Sequence, residues 1–190
     1  MSTYDPNSEL SRLNRNSATD WIDVSDQLYT VLEVAMRIGR ATGGAFDITI
    51  GPLVNLWGFG PEPGARTVPD IAAIESARQR VGIDKLLLRA SPTAVRKRRG
   101  DVYIDLSAIA KGYAVDQIAA YLDGQGFADY LVEIGGELRA SGSNQSGVPW
   151  RIGIENPVVE GRVIGQTAPL RDNGMASSGN YRNFFELDGV

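Results

Sequence analysis

The chain lacks two residue types that carry much of enzyme chemistry, histidine and cysteine. Within these residues their absence excludes a Ser-His-Asp triad, a cysteine nucleophile, a disulfide and a zinc site of the His/Cys type. Any metal ion must then be bound by oxygen atoms, and Mg²⁺ and Ca²⁺ are the ions that prefer such ligands. Proteins without cysteine occur in the cytoplasm and in the periplasm, so the compartment stays open.

The chain also lacks a basic excess and a long apolar run. It has 19 Lys and Arg against 23 Asp and Glu, which disfavours a nucleic-acid partner because phosphates need a basic face. No stretch approaches the roughly 20 apolar residues of a membrane span. Residues 1–14 show no basic start followed by an apolar run, so no signal peptide is visible. With 190 residues, 43% of them hydrophobic, the chain can bury the core of one domain, and no pattern indicates an oligomeric state.

Hydrophobic periodicity predicts helices and strands in separate runs. The helices are Val24–Arg40, capped by Ser25, a second one that starts near Pro69 with Ile71 facing inward, and Ser107–Leu122. The strands are 85–89, 94–98, 102–106, 130–134, 138–141, 150–155, 162–170 and 183–187, the first three forming an antiparallel meander. Because strands and helices are grouped rather than strictly alternating, we expect an α+β fold with antiparallel sheets and packed helices.

The stretch Asp105–Tyr113 is the most informative for chemistry. A strand that ends in Asp105 leads into a helix capped by Ser107, with Lys111 in an early turn. Free amides at a helix start and a lysine ammonium together suit a phosphate group. The pattern is not a Walker loop, because GxxxxGK[ST] is absent. Taken alone, a plain helix cap with a solvated lysine explains it as well.

Three further stretches combine glycines or hydroxyls with polar groups. Thr42–Asp47 has two adjacent glycines that let a ligand approach the backbone, with Asp47 available to a sugar hydroxyl or an amino group. Glu133–Glu137 has a Gly pair that we interpret as a bulge between two acidic residues. Ala176–Arg182 is a polar turn. For each one, an ordinary turn or helix end is the simpler explanation when it stands alone.

Together these stretches resemble the ApbE family, the FAD:protein FMN transferases. The matching segments are 1–14, TGGAFDITIGPLVNLWGFG at 42–60, DLSAIAKGYAVD at 105–116, VEIGGELRASG at 132–142, WRIGIENP at 150–157 and SSGNYRNF at 177–184. They occur in the family's order over essentially the whole chain, which makes the match specific. The resemblance implies a T-fold-like α+β architecture and a single ApbE-like domain over residues 1–190.

The resemblance also implies an activity and a site. The activity is the Mg²⁺-dependent transfer of FMN from FAD to a threonine hydroxyl of an acceptor flavoprotein, a subunit of the membrane redox complex type, with release of AMP. By position, the FAD site would be lined by Tyr4, Asn14, Ala45, Phe46, Asp47, Asp105 and Lys111, with Gly135, Gly136, Ser178 and Tyr181 as further contacts. Ala108 would offer its backbone carbonyl to the metal. The alternative function is a non-catalytic FAD-binding module.

The resemblance further implies that the chain is incomplete at both ends. The family's pattern continues beyond Val190 into a His-containing Asp-Pro motif and later metal ligands, and it begins upstream of Met1. The predicted strand at 183–187, followed by a turn-like Asp188-Gly189, fits a hairpin interrupted at Val190. Many family members are exported lipoproteins, so we expect a periplasmic or membrane-anchored location.

Overall fold

A computed structural model describes residues 1–61, 67–157, 161, 163–179 and 183–184. The chain divides into two compact units, the first formed by Met1–Ala110 and the second lying within Lys111–Glu186. Each unit is described by itself below. The expectation of a single domain over residues 1–190 stays a prediction.

The first unit combines short helices with a three-stranded antiparallel sheet. Its elements are α1 (Glu9–Arg15), β1 (Trp21–Asp23), α2 (Asp26–Ala41), α3 (Gly51–Leu56), α4 (Ile71–Arg78), β2 (Leu86–Ala90) and β3 (Thr93–Lys97). The strands lie in the order β1-β3-β2. The core side chains come from α1, α2, the sheet and the segment at 102–106.

Helix α2 forms the centre of this core. The Ser25 hydroxyl accepts a hydrogen bond from the Leu28 amide, which confirms Ser25 as the cap and satisfies one of the free amides at the helix start. The residues that α2 buries recur every three or four positions and lie on one face: Leu28, Val31, Leu32, Ala35 and Met36. This spacing is that of an amphipathic helix packed on one side, as predicted.

Two predictions for the first unit are wrong. The third strand of the sheet is β1 at Trp21–Asp23, which pairs with β3, and residues 102–106 do not form a strand. Their burial still alternates as in a strand, with Val102, Ile104 and Leu106 inside. However, backbone groups of Ile104 and Asp105 form hydrogen bonds with Asn14 and Ile48 instead of with a neighbouring strand. Ile71 is exposed rather than inward-facing, because Asp70 caps α4 so that Ile71 is its first residue.

The second unit contains one long helix and two antiparallel sheets within its described residues. Helix α5 (Ala110–Gly124) begins at the boundary between the units. The strands are β4 (Tyr130–Ile134), β5 (Glu137–Ser141), β6 (Trp150–Glu155), β7 (Ile164–Leu170) and β8 (Asn173–Met175). One sheet has the order β4-β5-β8 and the other pairs β6 with β7. The predicted strand at 183–187 lies mostly outside the described residues.

The core of this unit is formed by two small clusters. One packs Val115 and Ala119 of α5 against Tyr130 and Val132 of β4. The other lies between the sheets and contains Ala140, Ile152 and Leu170. The first cluster places α5 directly over the sheet that carries the Gly135-Gly136 pair.

The Gly135-Gly136 pair forms a hairpin turn, not the expected bulge. Ile134 pairs with Glu137 across the ladder, so only two residues connect β4 to β5. Both glycines have positive φ, 58° and 97°. Two-residue hairpins of the I′ type need positive φ at both positions, which Gly-Gly supplies without strain. The structure has the expected α+β class with antiparallel sheets and packed helices. The prediction of a bulge at Gly135-Gly136 was wrong.

In the described part of the chain, no helix has the length and apolar character needed to cross a membrane.

Candidate functional site

The segment that precedes α5 is held in an extended form by bonds that replace a strand partner. The Asp105 amide donates to the Ile48 carbonyl at 2.7 Å. The Asp105 carboxylate accepts the Ser107 amide through Oδ1 at 2.8 Å. This local turn uses residues 107–109, and α5 begins at Ala110 rather than at the expected Ser107. Asp105 is therefore half-buried at the end of an extended segment that leads directly into α5.

Asn14 holds the residue next to Asp105 from both sides. Its Nδ2 donates to the Ile104 carbonyl and its Oδ1 accepts the Ile104 amide, each at 2.8 Å. These two bonds engage the whole carboxamide, and they satisfy backbone groups of a residue whose side chain is fully buried. Asn14 thus lies beside the predicted site, and its bonds in the structure go to the backbone that carries Asp105.

A buried lysine anchors helix α1, which contains Asn14. Lys97, fully buried at the end of β3, donates from Nζ to the Leu13 carbonyl at 3.2 Å and to the Gly100 carbonyl at 3.0 Å. Burial lowers the pKa of the Lys97 ammonium because a charge is poorly solvated there, and the nearby Asp101 charge partly opposes this shift. The C-terminal turn of α1 is therefore tied to the sheet next to Asn14.

Asp47 is fixed next to Asp105 through the backbone of Ile48. Its Oδ1 accepts the amide of Thr49 at 2.7 Å and the hydroxyl of Thr49 at 2.6 Å. The buried Thr49 hydroxyl in turn accepts the Gly82 amide at 2.6 Å. Because Ile48 accepts the Asp105 amide, the structure brings the Asp47 and Asp105 segments side by side. Two predicted site residues far apart in sequence thus share one end of the first unit.

The remaining predicted residues of the first unit are more loosely defined. Ala45 is exposed and Phe46 is half-buried, both next to Asp47. Tyr4 is 68% exposed and precedes α1. Ala108 is exposed in the turn before α5. The exposure of Ala45, Tyr4 and Ala108 leaves them accessible. Contact of Ala45 and Tyr4 with FAD, and of the Ala108 carbonyl with a metal ion, stay predictions.

The second group of site residues centres on Lys111 in the first turn of α5. The Lys111 ammonium donates to the Gly135 carbonyl at 3.1 Å and lies 2.7 Å from Oε2 of Glu137. The Gly136 amide donates to Oε1 of Glu133 at 2.8 Å. Lys111, Gly135 and Gly136, predicted from separate stretches, therefore meet at the β4-β5 turn.

The hydroxyl-rich stretch lies against the same turn. A side chain at Gly136 would come within 3.6 Å of the Ser177 hydroxyl, so Ser177 faces the turn. Ser178 follows it and is exposed. Tyr181 lies outside the described residues. The β4-β5 turn thus has an ammonium and a hydroxyl close together, and both are donors that bind phosphate oxygens. The Gly136 amide is already bonded to Glu133.

The described residues do not make a complete metal site. Among them, no three acidic side chains come together in a way that could hold an ion. Asp47 and Asp105 supply oxygen donors of the type that Mg²⁺ and Ca²⁺ prefer, but two carboxylates fall short of a dedicated ligand set.

Glu137 is the site residue that the sequence prediction missed. In the sequence it is one of two acidic residues flanking a glycine pair, and either of them could have been solvated. A signal was nevertheless present, because a two-residue I′ turn at Gly135-Gly136 makes Glu137 the direct cross-strand neighbour of Ile134. Interpreting the glycines as a bulge hid this pairing.

Comparisons with known proteins give one consistent result. The model of the ApbE family matches residues 1–190. A protein of Vibrio cholerae named FAD:protein FMN transferase is 47% identical over 190 residues, covering 100% of this chain and 56% of that protein. A solved structure described as the flavin transferase ApbE from Vibrio cholerae superposes with a TM-score of 0.87 at 44% identity, covering 98% of this chain and 60% of that one.

A more distant structure has the same fold. The apbe protein from Thermotoga maritima superposes with a TM-score of 0.87 at 33% identity, covering 100% of this chain and 60% of that chain. The expected α+β fold is thereby confirmed. The chain spans a little over half the length of the curated relatives it matches.

Proposed function

Because the chain belongs to the ApbE family, we propose that it carries the FAD-binding part of an FAD:protein FMN transferase. The observation that carries this proposal is the family match over residues 1–190, with relatives of that name up to 47% identical. The two groups of polar residues support it, since each offers donors or acceptors for part of a dinucleotide. FAD is then the substrate and a flavoprotein is the acceptor.

In the proposed reaction, FAD is cleaved at its pyrophosphate. The hydroxyl oxygen of an acceptor threonine forms a bond to the FMN phosphorus, and the bond from that phosphorus to the bridging oxygen breaks. AMP leaves with the bridging oxygen, and the hydroxyl proton is released. Charge builds up on the phosphate oxygens as the bonds exchange, and fixed donors lower the barrier by stabilising it.

Lys111 and the β4-β5 turn would supply such donors. The Lys111 side chain is 45% exposed, so a phosphate can approach it. Asp47 and Asp105 of the first unit stay proposed contacts of FAD. We further propose that the reaction requires Mg²⁺, which when bound would neutralise pyrophosphate charge. The remaining metal ligands would then come from outside the described residues. The acceptor is a separate flavoprotein. We also propose a periplasmic or membrane-anchored location.

The test uses the full natural protein that carries these residues. Incubation with FAD, Mg²⁺ and an acceptor flavoprotein should give a fluorescent acceptor band and equimolar AMP, and a Thr→Val acceptor should give neither. Chelating the metal should stop transfer, and cell fractionation reports the location. Absence of a labelled band with every component present would overturn the transferase. Saturable FAD binding without AMP would instead support the non-catalytic binding module.

Two variants test the placement of the FAD site. Lys111→Ala and Asp105→Ala should each weaken FAD binding about tenfold or more, since a charge-assisted contact is worth about 1.5–3 kcal/mol. Asp116→Asn, an exposed residue of the same helix α5, is the matched control and should bind FAD as the unaltered protein does. Quenching of flavin fluorescence gives the dissociation constants. Unchanged affinity in both variants would contradict this placement.

A further inference from the structure

The ion pair between Glu137 and Lys111 is unevenly exposed. The Lys111 side chain is 45% exposed, whereas that of Glu137 is 20% exposed. Oε2 of Glu137 is shielded from solvent and receives no hydrogen bond from the described parts of the chain. The Lys111 ammonium lies 2.7 Å away, off the line of a hydrogen bond but at ion-pair distance. The shielded carboxylate therefore depends on Lys111 for compensation of its charge.

The ion pair leaves part of the hydrogen-bonding capacity of the Lys111 ammonium unused. An ammonium has three N–H donors, and one of them is taken by the Gly135 carbonyl at 3.1 Å. The exposed part of Lys111 leaves donor capacity for an incoming anion. Glu137 is a half-buried partner that restrains the ammonium without enclosing it.

The β4-β5 turn restrains the stem of the same lysine. A side chain at Gly135 would come within 3.3 Å of Cδ of Lys111, so the stem passes directly over this glycine. A lysine side chain free in solvent loses up to about 2 kcal/mol of rotamer entropy when it is immobilised. Contact with the turn and with Glu137 removes part of that loss before any ligand binds.

From this geometry we propose that Glu137 is a positioning residue for FAD, one that acts by holding the Lys111 ammonium at the β4-β5 turn. The inference rests on the proposed function, in which Lys111 binds a phosphate of FAD. Glu137 itself makes no contact with the substrate. Its contribution passes through Lys111, so it disappears when Lys111 is removed.

A second ion pair joins the same two elements and provides a control. Arg139 of β5 lies 3.0 Å from Asp116 of α5, with 44% and 58% of the side chains exposed. Exposed pairs contribute little to stability, and this one is not part of the β4-β5 turn. Asp116→Asn therefore removes a pair between α5 and β5 without changing the position of Lys111.

The experiment is a double-mutant cycle on FAD affinity in the full natural protein, with Glu137→Gln and Lys111→Met made singly and together. Glu137→Gln should weaken FAD binding about three- to tenfold, and Lys111→Met should weaken it more. The double variant should bind FAD as Lys111→Met does. Asp116→Asn should have the affinity of the unaltered protein, and urea unfolding should show that all variants are folded.

The outcomes distinguish a failure of the positioning role from a failure of the proposed function. Unchanged affinity in Glu137→Gln, or a loss of equal size with and without Lys111, would overturn the positioning role while the transferase stands. Failure of the unaltered protein to bind FAD would overturn both. Should Glu137→Gln fail to fold, Glu137→Asp retains the charge on a shorter side chain. Its affinity should fall between the unaltered protein and Lys111→Met, and full retention would count against the proposal.

Discussion

Replacing Asn14 by alanine tests whether this residue builds the site rather than binds the ligand. Asn14 makes two hydrogen bonds of 2.8 Å to the amide and the carbonyl of Ile104. The Ile104 side chain is fully buried, so its backbone groups would not regain water partners easily. A buried polar group left without a partner costs about 1–3 kcal/mol. Losing two such partners should lower the free energy of unfolding by at least about 2 kcal/mol.

Urea unfolding of Asn14→Ala provides the measurement. With a slope of about 2–3 kcal/mol per M for urea, the transition midpoint should fall by about 1 M without a change of slope. Asn16→Ala is the matched control, because Asn16 is exposed and its side chain accepts one local bond from the Ala18 amide. We expect that control to lose less than about 1 kcal/mol. FAD affinity should fall in Asn14→Ala as well, since the Asp105 segment loses its support.

Equal midpoints for the two variants would contradict the structural role of Asn14. Full stability of Asn14→Ala with a loss of FAD affinity would also contradict it, because that pattern belongs to a direct ligand contact. Displacement of the Asp105 segment would instead lower the stability and the FAD affinity together.

The remaining predictions concern Lys97 and two glycines, Gly51 of the first unit and Gly112 of the second. Because burial lowers the pKa of Lys97, the unfolded chain binds more protons at pH values between the folded and unfolded pKa. Stability should therefore rise with pH in the range below the ordinary lysine value of 10.5. Lys97→Met should flatten this rise in urea titrations at alkaline pH. Gly51→Ala should destabilise the protein in thermal unfolding, because the new Cβ would lie 2.3 Å from the Tyr103 ring. Gly112→Ala in α5 meets no atom within 4 Å and should gain about 0.5–1 kcal/mol, so a loss at Gly112 or a gain at Gly51 would contradict the packing described.

The sequence predicted best where one local cause decides the structure. Helix α2 follows from its apolar spacing and from Ser25, both of which are readable within one stretch. The hairpin strands β2 and β3 follow from alternation and a turn between them. In each case the partner that stabilises the element is near in sequence, so the pattern and the structure agree.

The sequence predicted poorly where a distant side chain decides. Residues 102–106 have the alternation of a strand, yet Asn14 and Ile48 take the backbone groups that a neighbouring strand would use. The start of α5 is displaced because Asp105 takes the Ser107 amide. Periodicity carries no information about such bonds, and the short strand β1 is too brief to give a pattern of its own.

The candidate site shows the same division. The resemblance drew attention to the segments around Asp47, Asp105, Lys111 and the Gly135-Gly136 pair, and the structure groups them within each unit. The function of these residues as FAD contacts stays a prediction. The Glu137 ion pair needed the register of β4 and β5, which a misread turn had concealed.

The Asn14 hydrogen bonds also constrain how the chain folds during its synthesis. They join residues 90 positions apart in the chain. At roughly 5–20 residues per second, a ribosome needs roughly 5–20 s to add that many residues. During this interval helix α1 has been synthesised and its partner has not, and loop closure over such a distance is slow compared with local folding. During synthesis the Asp105 segment therefore cannot take its final shape before Ile104 has been added, and slowed translation across residues 15–104 would lengthen the time for which α1 lacks this partner.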